Sequence, residues 1–309
     1  MRREQRRGLI GMVALLLCGG FLRATVEAQA PGSMLISTEQ VAALVGQPQV
    51  VLLHVGPAQA YPARHLHGAR LVTTGDISVP GTLADGTSLN LQLPDADTLK
   101  TQLEVLGISD DSRIIVYAAA PGMTSSATRV MVTLQAAGLG DRAQLMDGGL
   151  TKWAAEGRAV TDEVPAPVTG TLRALEMRPL VVDGDEVLAR MGTSGTTIVD
   201  ARTPAFYSGA STGGSQQAPH KTGHIASAVN VPFASLYDAQ GQLRPVDELR
   251  AAFTSAGVKP GDQIIAYCHI GQQATVAVFA ARLAGFDVRL YDGSFEEWSK
   301  RDGAVAIKK

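Results

Sequence analysis

The chain has 309 residues, enough for about two domains at roughly 150 residues each. Its 45% hydrophobic and 18% charged residues, with 15 Pro, exclude a disordered or collagen-like chain, and a formal charge of −2 excludes the basic footprint of a nucleic-acid binder. Two cysteines allow at most one disulfide and no four-cysteine zinc module.

The first thirty residues carry Arg2, Arg3, Arg6 and Arg7, then an apolar run over 9–17, then Ala28-Gln29-Ala30. That order of basic, apolar and small residues is a secretory signal, with cleavage expected after Ala30. The run is too short to span a bilayer, and no later stretch approaches the roughly 20 apolar residues a spanning helix needs. The processed chain is therefore expected to be soluble, periplasmic or secreted, with no membrane contact. Lipidation of Cys18 would call for a small residue just ahead of it, where Leu15, Leu16 and Leu17 stand. Loss of 1–30 leaves 22 basic and 27 acidic residues, a net of −5, and a single cysteine, Cys268. An unpaired thiol in an exported chain is either a buried small hydrophobe or a reactive group.

Residues 31–163 and 173–309 read as one unit written twice, joined by a Pro-rich linker at 164–172. Four landmarks recur in order. Val50-Val51-Leu52-Leu53-His54-Val55 answers to Thr196-Thr197-Ile198-Val199-Asp200-Ala201, and His65-Leu66-His67-Gly68-Ala69 answers to His224-Ile225-Ala226-Ser227-Ala228. Ile114-Ile115-Val116-Tyr117 answers to Ile264-Ile265-Ala266-Tyr267, and Asp147 with Trp153 answers to Asp292 with Trp298 at the same spacing. The Gly/Ser/Gln-rich stretch 208–222 is an insertion in the second copy and is expected on a surface loop. Within each copy, short β-branched runs alternate with helix-length apolar patterns at 94–106, 127–137, 246–256 and 275–284, with Gly138 and Gly285 placed to end two of the helices. The expected fold class is α/β, two tandem domains, each a mostly parallel sheet with helices on both faces. In such sheets ligands bind beyond the carboxyl ends of the strands.

Cys268 stands at that point, after the strand pattern at 264–267 and before a helix opening at Ala274 and Thr275. The loop His269-Ile270-Gly271-Gln272-Gln273 can turn its N–H groups inward as a nest, with Gly271 allowing a sharp turn. The helix N-terminus adds unpaired donors and a positive dipole end, so the thiol pKa is expected to fall below its free value of about 8.5. His269 either adds positive character or points to solvent.

These segments resemble the rhodanese family of sulfurtransferases, in its two-domain form. Val199-Asp200-Ala201-Arg202, Tyr207, Gly223-His224-Ile225 and Asn230-Val231-Pro232 are similar to its N-terminal signature, 268–273 to its six-residue catalytic loop, and Asp292-Gly293 with Trp298 to its C-terminal signature. The first copy has Ala118 where the second has Cys268, as in the non-catalytic domain of two-domain members. The resemblance implies transfer of a sulfane sulfur from thiosulfate, or a donor such as 3-mercaptopyruvate, to cyanide or a thiol through a Cys268 persulfide. It implies substrate contacts from His269, Ile270, Gly271, Gln272, Gln273 and Ala274, and no cofactor. Arg202 would either pair with an anionic donor or form a structural salt bridge; Asp200 is expected to tie strand end to loop. His269 and Ile270 differ from the basic residues common in thiosulfate users, and Gln272-Gln273 differs from the mercaptopyruvate pattern, so the donor stays open. A catalytically weak sulfur-carrier or protein-binding module is the alternative, with a protein as sulfur acceptor.

Other chemistries fall away. Phosphatases of this superfamily need an arginine six positions after the cysteine, and position 274 is Ala. His65 and His67 lack the further ligands of a metal set, and no nucleotide-binding glycine loop is present.

Overall fold

A computed structural model describes residues 33–84, 86, 88–216, 219–301 and 306–307. The expected signal segment, with Cys18 and Ala30, lies outside the described residues. The first half runs β1 (Leu35–Ile36), α1 (Thr38–Ala42), β2 (Val50–Val55), β3 (Arg70–Val72), β4 (Val79–Thr82), β5 (Ser88–Gln92), α2 (Ala96–Val105), β6 (Arg113–Ala118), α3 (Thr124–Ala136), β7 (Ala143–Met146) and α4 (Gly149–Ala155). Its sheet has the order β1-β7-β6-β2-β3, every pair parallel, and β4 with β5 form a separate antiparallel hairpin. The β-branched runs form these strands because both sheet faces are covered, so consecutive side chains are buried rather than alternate ones. In β2, Val51, Leu53 and Val55 enter one apolar cluster and Leu52 another.

The second half repeats this plan with β8 (Val181–Val182), α5 (Gly184–Arg190), β9 (Thr196–Asp200), α6 (Pro204–Ser208), β10 (His224–Ile225), β11 (Val229–Asn230), α7 (Val246–Ala256), β12 (Gln263–Tyr267), α8 (Ala274–Leu283), β13 (Val288–Tyr291), α9 (Ser294–Trp298) and β14 (Ala306–Ile307). Its parallel sheet has the order β11-β9-β12-β13-β8, the same as the first read from the other edge, and β14 pairs antiparallel with β10. The expected tandem α/β architecture is therefore present. Helix ends follow local chemistry: Asp95 caps α2 by accepting from Thr98 N at 2.9 Å, and Gly138 and Gly285, at φ +79° and +86°, follow α3 and α8. The helix expected over 127–137 starts earlier, at Thr124, because the hydroxyl of Thr124 bonds back to Pro121 O at 2.9 Å and continues the preceding turn into the helix.

The two halves meet through α3 and α8. Thr128 and Thr275 share a buried hydroxyl hydrogen bond of 2.8 Å, Val132 and Ala136 join the apolar cluster of the second half, and Phe279 joins that of the first. Beyond Thr161 the Pro-rich stretch carries no helix or strand until β8, yet it is tied to the first half: Gly170 N donates to Glu104 O at 2.7 Å and Arg178 N to Ala136 O at 2.7 Å.

Of the landmark histidines, His54, His65 and His224 are core residues, while His67 is exposed. His65 and His224 stack on Tyr61 and Tyr207, and each has Nδ1 at 2.8 Å from that tyrosine's carbonyl. His54, at the end of β2, has Nδ1 3.1 Å from Tyr117 Oη, but its Nε2 is buried without a partner. Burial, reinforced by His65, holds its pKa down at about 4 from 6.5. The unfolded chain takes this proton near 6.5 and the folded chain only near 4, so the stability contribution is complete above pH 6.5 and is lost as pH falls through about 4. The shift corresponds to on the order of 3 kcal/mol. Thermal melts should show a midpoint that falls between pH 6.5 and 4, with a shallower fall in His54→Gln; an unchanged slope in that variant would refute the assignment.

Candidate active site

Cys268 directly follows β12, and Ala274 opens α8 five residues after the cysteine's neighbour on the loop, so the chain must reverse within His269 to Gln273. Two features make the turn possible. Gly271 adopts φ +80°, and a Cβ there would lie 2.6 Å from Asp292 O and 2.7 Å from Asp292 Oδ1. No other residue fits without moving Asp292. The loop carbonyls are held outward: Phe295 N donates to Cys268 O at 3.1 Å, Glu296 N to His269 O at 2.9 Å and Thr275 Oγ1 to Gln272 O at 2.6 Å. The N–H groups of Ile270, Gly271, Gln273 and Ala274 turn inward and donate to the Cys268 sulfur. This is the expected nest.

Ser294 supports the loop from beneath. Its hydroxyl accepts from Cys268 N at 3.1 Å and donates to Tyr291 O at 2.8 Å, while its own backbone sits at φ +52°, a region that disfavours residues with a Cβ.

The expected low thiol pKa is not what this environment gives. Cys268 is fully buried, and burial pushes its thiol up, with the four N–H donors only partly opposing the rise. The dipoles stabilise the anion, but removing the sulfur from water costs more. His269 adds no charge either: burial, and then the neighbouring Arg202, hold its pKa down at about 4, so the ring is neutral at pH 7. It packs edge-on against Phe206, with ring centres 4.5 Å apart.

Arg202, expected among the substrate contacts, belongs to the structural alternative. It is 2% exposed, its Nε and Nη2 bond both oxygens of the buried Asp200 at 2.6 to 3.1 Å, and Nη2 also donates to Gly223 O at 2.7 Å. Breaking such a buried pair costs about 3–5 kcal/mol, more than the roughly 1.5–3 kcal/mol of a new hydrogen bond to a charged donor. Asp200 also accepts from Tyr267 Oη at 2.7 Å, as expected of a residue tying strand to loop. Gln272 likewise faces the other half, where Nε2 donates to Ser126 Oγ at 3.0 Å. Ala274 is fully buried and offers its N–H alone.

Several residues at the site had no part in the sequence reading. A cleft of about 350 Å³ beside the loop is lined by His269, Ile270, His220, Glu296, Lys300 and Ser215. His220 and Ser215 come from the 208–222 insertion, so part of that surface loop also walls the site. The first half contributes Asn90, whose N and Nδ2 hold Glu296 at 2.9 and 2.7 Å, and Arg129, which forms an ion pair with Asp292. Arg129 is the sole charged residue of α3, and that lone charge in an otherwise uncharged buried helix was the available signal.

The corresponding place in the first half lacks these groups. Ala118 replaces Cys268, while His54 and Gly56 replace Asp200 and Arg202. Gly149, at φ +52°, stands where Ser294 stands and offers no hydroxyl.

A family model of the rhodanese-like domain matches residues 37–156 and 183–301. The chain belongs to the rhodanese-like family. Among its relatives, a probable 3-mercaptopyruvate sulfurtransferase of Pseudomonas aeruginosa is 29% identical over 86% of this chain and 95% of its own length. The thiosulfate sulfurtransferase of Rattus norvegicus is 31% identical over 78% of this chain and 79% of its own, and that of Azotobacter vinelandii is 27% identical over 86% and 93%. Among solved structures, YnjE shares the fold at a TM-score of 0.77 and 22% identity, covering 89% of this chain and 68% of its own. The anaerobic ergothioneine biosynthesis enzyme of Chlorobium limicola shares it at 0.75 and 20%, covering 89% and 70%. In this rhodanese-like chain Gly271→Ala should lose about 2 kcal/mol of stability from the positive φ and the clash with Asp292. Thermal denaturation measures the loss, and a melt unchanged from wild type would show that the loop has another low-energy path.

Proposed function

We propose that this sulfurtransferase moves a sulfane sulfur from thiosulfate, or a related donor such as 3-mercaptopyruvate, to cyanide or a thiol through a persulfide on Cys268. The observation that carries the reading is the convergence of four backbone N–H groups on one sulfur at the mouth of α8. In the first step the Cys268 thiolate attacks the outer sulfur of thiosulfate; the new S–S bond forms as the donor's S–S bond breaks, and sulfite leaves with the electron pair. In the second step the acceptor attacks the outer sulfur of the persulfide and Cys268 departs as the thiolate. Charge rests on sulfur in the attacking thiolate and in the persulfide, and the nest stabilises it there without reorganising. The raised thiol pKa means that the first step should accelerate as pH rises through that value.

Arg202 and Arg129 are each neutralised by a buried aspartate and His269 is neutral at pH 7, so the positive charge offered to a dianionic donor in the cleft is that of Lys300, which shares the wall with Glu296. Export with cleavage after Ala30, to the periplasm or the medium, is part of the same proposal and rests on the sequence of the first thirty residues; mass spectrometry of the secreted chain's N-terminus tests it.

Incubation with thiosulfate or 3-mercaptopyruvate should add one sulfur atom to the peptide containing Cys268, read by mass spectrometry, and cyanide should remove it. Cys268→Ala should abolish both the adduct and turnover. If neither donor loads Cys268 and the variant keeps wild-type turnover, the reading fails; binding of a partner protein without any adduct would favour the weak carrier module instead.

A further inference from the structure

Three of the loop's carbonyls are held by groups of the cysteine-bearing half, but the carbonyl of Gly271 faces a group from the other half. Arg129 Nη1, on α3, lies 3.5 Å from Gly271 O, at the long end of hydrogen-bonding range, and 3.2 Å from where a Cβ on Gly271 would sit. The same guanidinium ion-pairs with Asp292 through both terminal nitrogens and donates to Leu91 O. Asp292 in turn accepts from Leu93 N at 2.6 Å. Arg129 thus fills the space between the hairpin end of the first half and the catalytic loop of the second.

Its setting is costly. Arg129 is 1% exposed, and its Nε is buried with no hydrogen-bond partner. A cation buried with an unsatisfied donor is retained where the surrounding structure gains from it. The gain is not a field on the sulfur, because Asp292 neutralises the guanidinium and burial and backbone donors alone set the thiol's shift. The gain is geometric: Asp292 and Arg129 together wall the space against Gly271, whose N–H, with those of Ile270, Gln273 and Ala274, reaches the sulfur.

We propose that Arg129, from the half that lacks a cysteine, is a positioning residue for the nucleophile, clamping Asp292 against Gly271 so that the loop's N–H groups stay aimed at Cys268. The inference rests on Cys268 as the reacting atom. The charged and titratable groups facing the loop are Arg129 with Asp292, Arg202 with Asp200, His269, His220, Glu296 and Lys300; only the first pair is altered in the test.

The test measures the rate of Cys268 alkylation by iodoacetamide against pH in the full chain, read on the Cys268 peptide by mass spectrometry, alongside thermal melts. It needs only the thiolate, so a failure of sulfur transfer leaves it intact. The charge-balanced variant Arg129→Met/Asp292→Asn should show a pH midpoint about one unit higher and alkylation at neutral pH about tenfold slower than wild type. Arg129→Lys, which keeps the charge but cannot reach Asp292, Leu91 O and Gly271 O together, should fall between. A purely structural role would lower the melting temperature and leave the pH midpoint in place. Coincident midpoints for wild type and the double variant overturn the proposal, as do coincident midpoints for wild type and Arg129→Lys if the double variant does not fold.

Discussion

Two helices, α3 and α8, lie face to face with a hydroxyl pair, Thr128 and Thr275, buried between them. Because α8 begins where the catalytic loop ends, whatever fixes α8 against α3 also fixes the floor of the site. Thr275 does both, since its hydroxyl also donates to Gln272 O within the loop. The apolar clusters on either side are shared between the halves, with Val132 and Ala136 in one and Phe279 in the other. Separating the halves would expose apolar surface and at the same time release the loop. The loop around Cys268 in one copy is thus held partly by the other.

The interface carries a pseudo-symmetric pair of carboxylates. Asp292 accepts from Leu93 N, and Asp147 accepts from Leu243 N at 3.1 Å and Gln242 Nε2 at 3.0 Å. Each Asp-Gly turn reaches across to the backbone of the opposite half. A buried arginine reinforces the carboxylate on the catalytic side, where Arg129 adds its guanidinium; Gln242 plays the neutral part on the other. The carboxylate beside the Cys268 loop therefore receives the stiffer support.

Much of the architecture was legible because the duplication repeats β-branched strands and apolar helices whose periods differ, and those periods are local properties of sequence. The nest was legible for the same reason: a cysteine, a glycine and a helix start lie within seven consecutive residues. The thiol's raised pKa was not, because burial depends on how the second half closes over 268, and the dipole argument accounts for only one of two opposing effects. Arg202 was visible as an arginine beside an aspartate, but only the folded distances decide that the pair is closed to substrate. Asn90 and His220 reach the site from a distant position and from an insertion, with nothing in their own neighbourhoods to say where the chain will bring them, whereas the lone charge of Arg129 marks it out without saying what it meets.

The duplicated turn at Gly149 and Ser294 bears on how far the two copies are interchangeable. Both residues hold the same left-handed backbone, so the turn is common to the two copies although only one carries a cysteine. The serine tolerates an unfavourable conformation to bring a hydroxyl under the nucleophile, whereas the glycine adopts that conformation freely and brings nothing. A cysteine placed at position 118 would find no hydroxyl beneath it, no aspartate–arginine pair beside it and a loop that begins Ala119-Ala120-Pro121. The two copies differ at several positions that act together, so a single substitution at position 118 does not reproduce the surroundings of Cys268 in the first half.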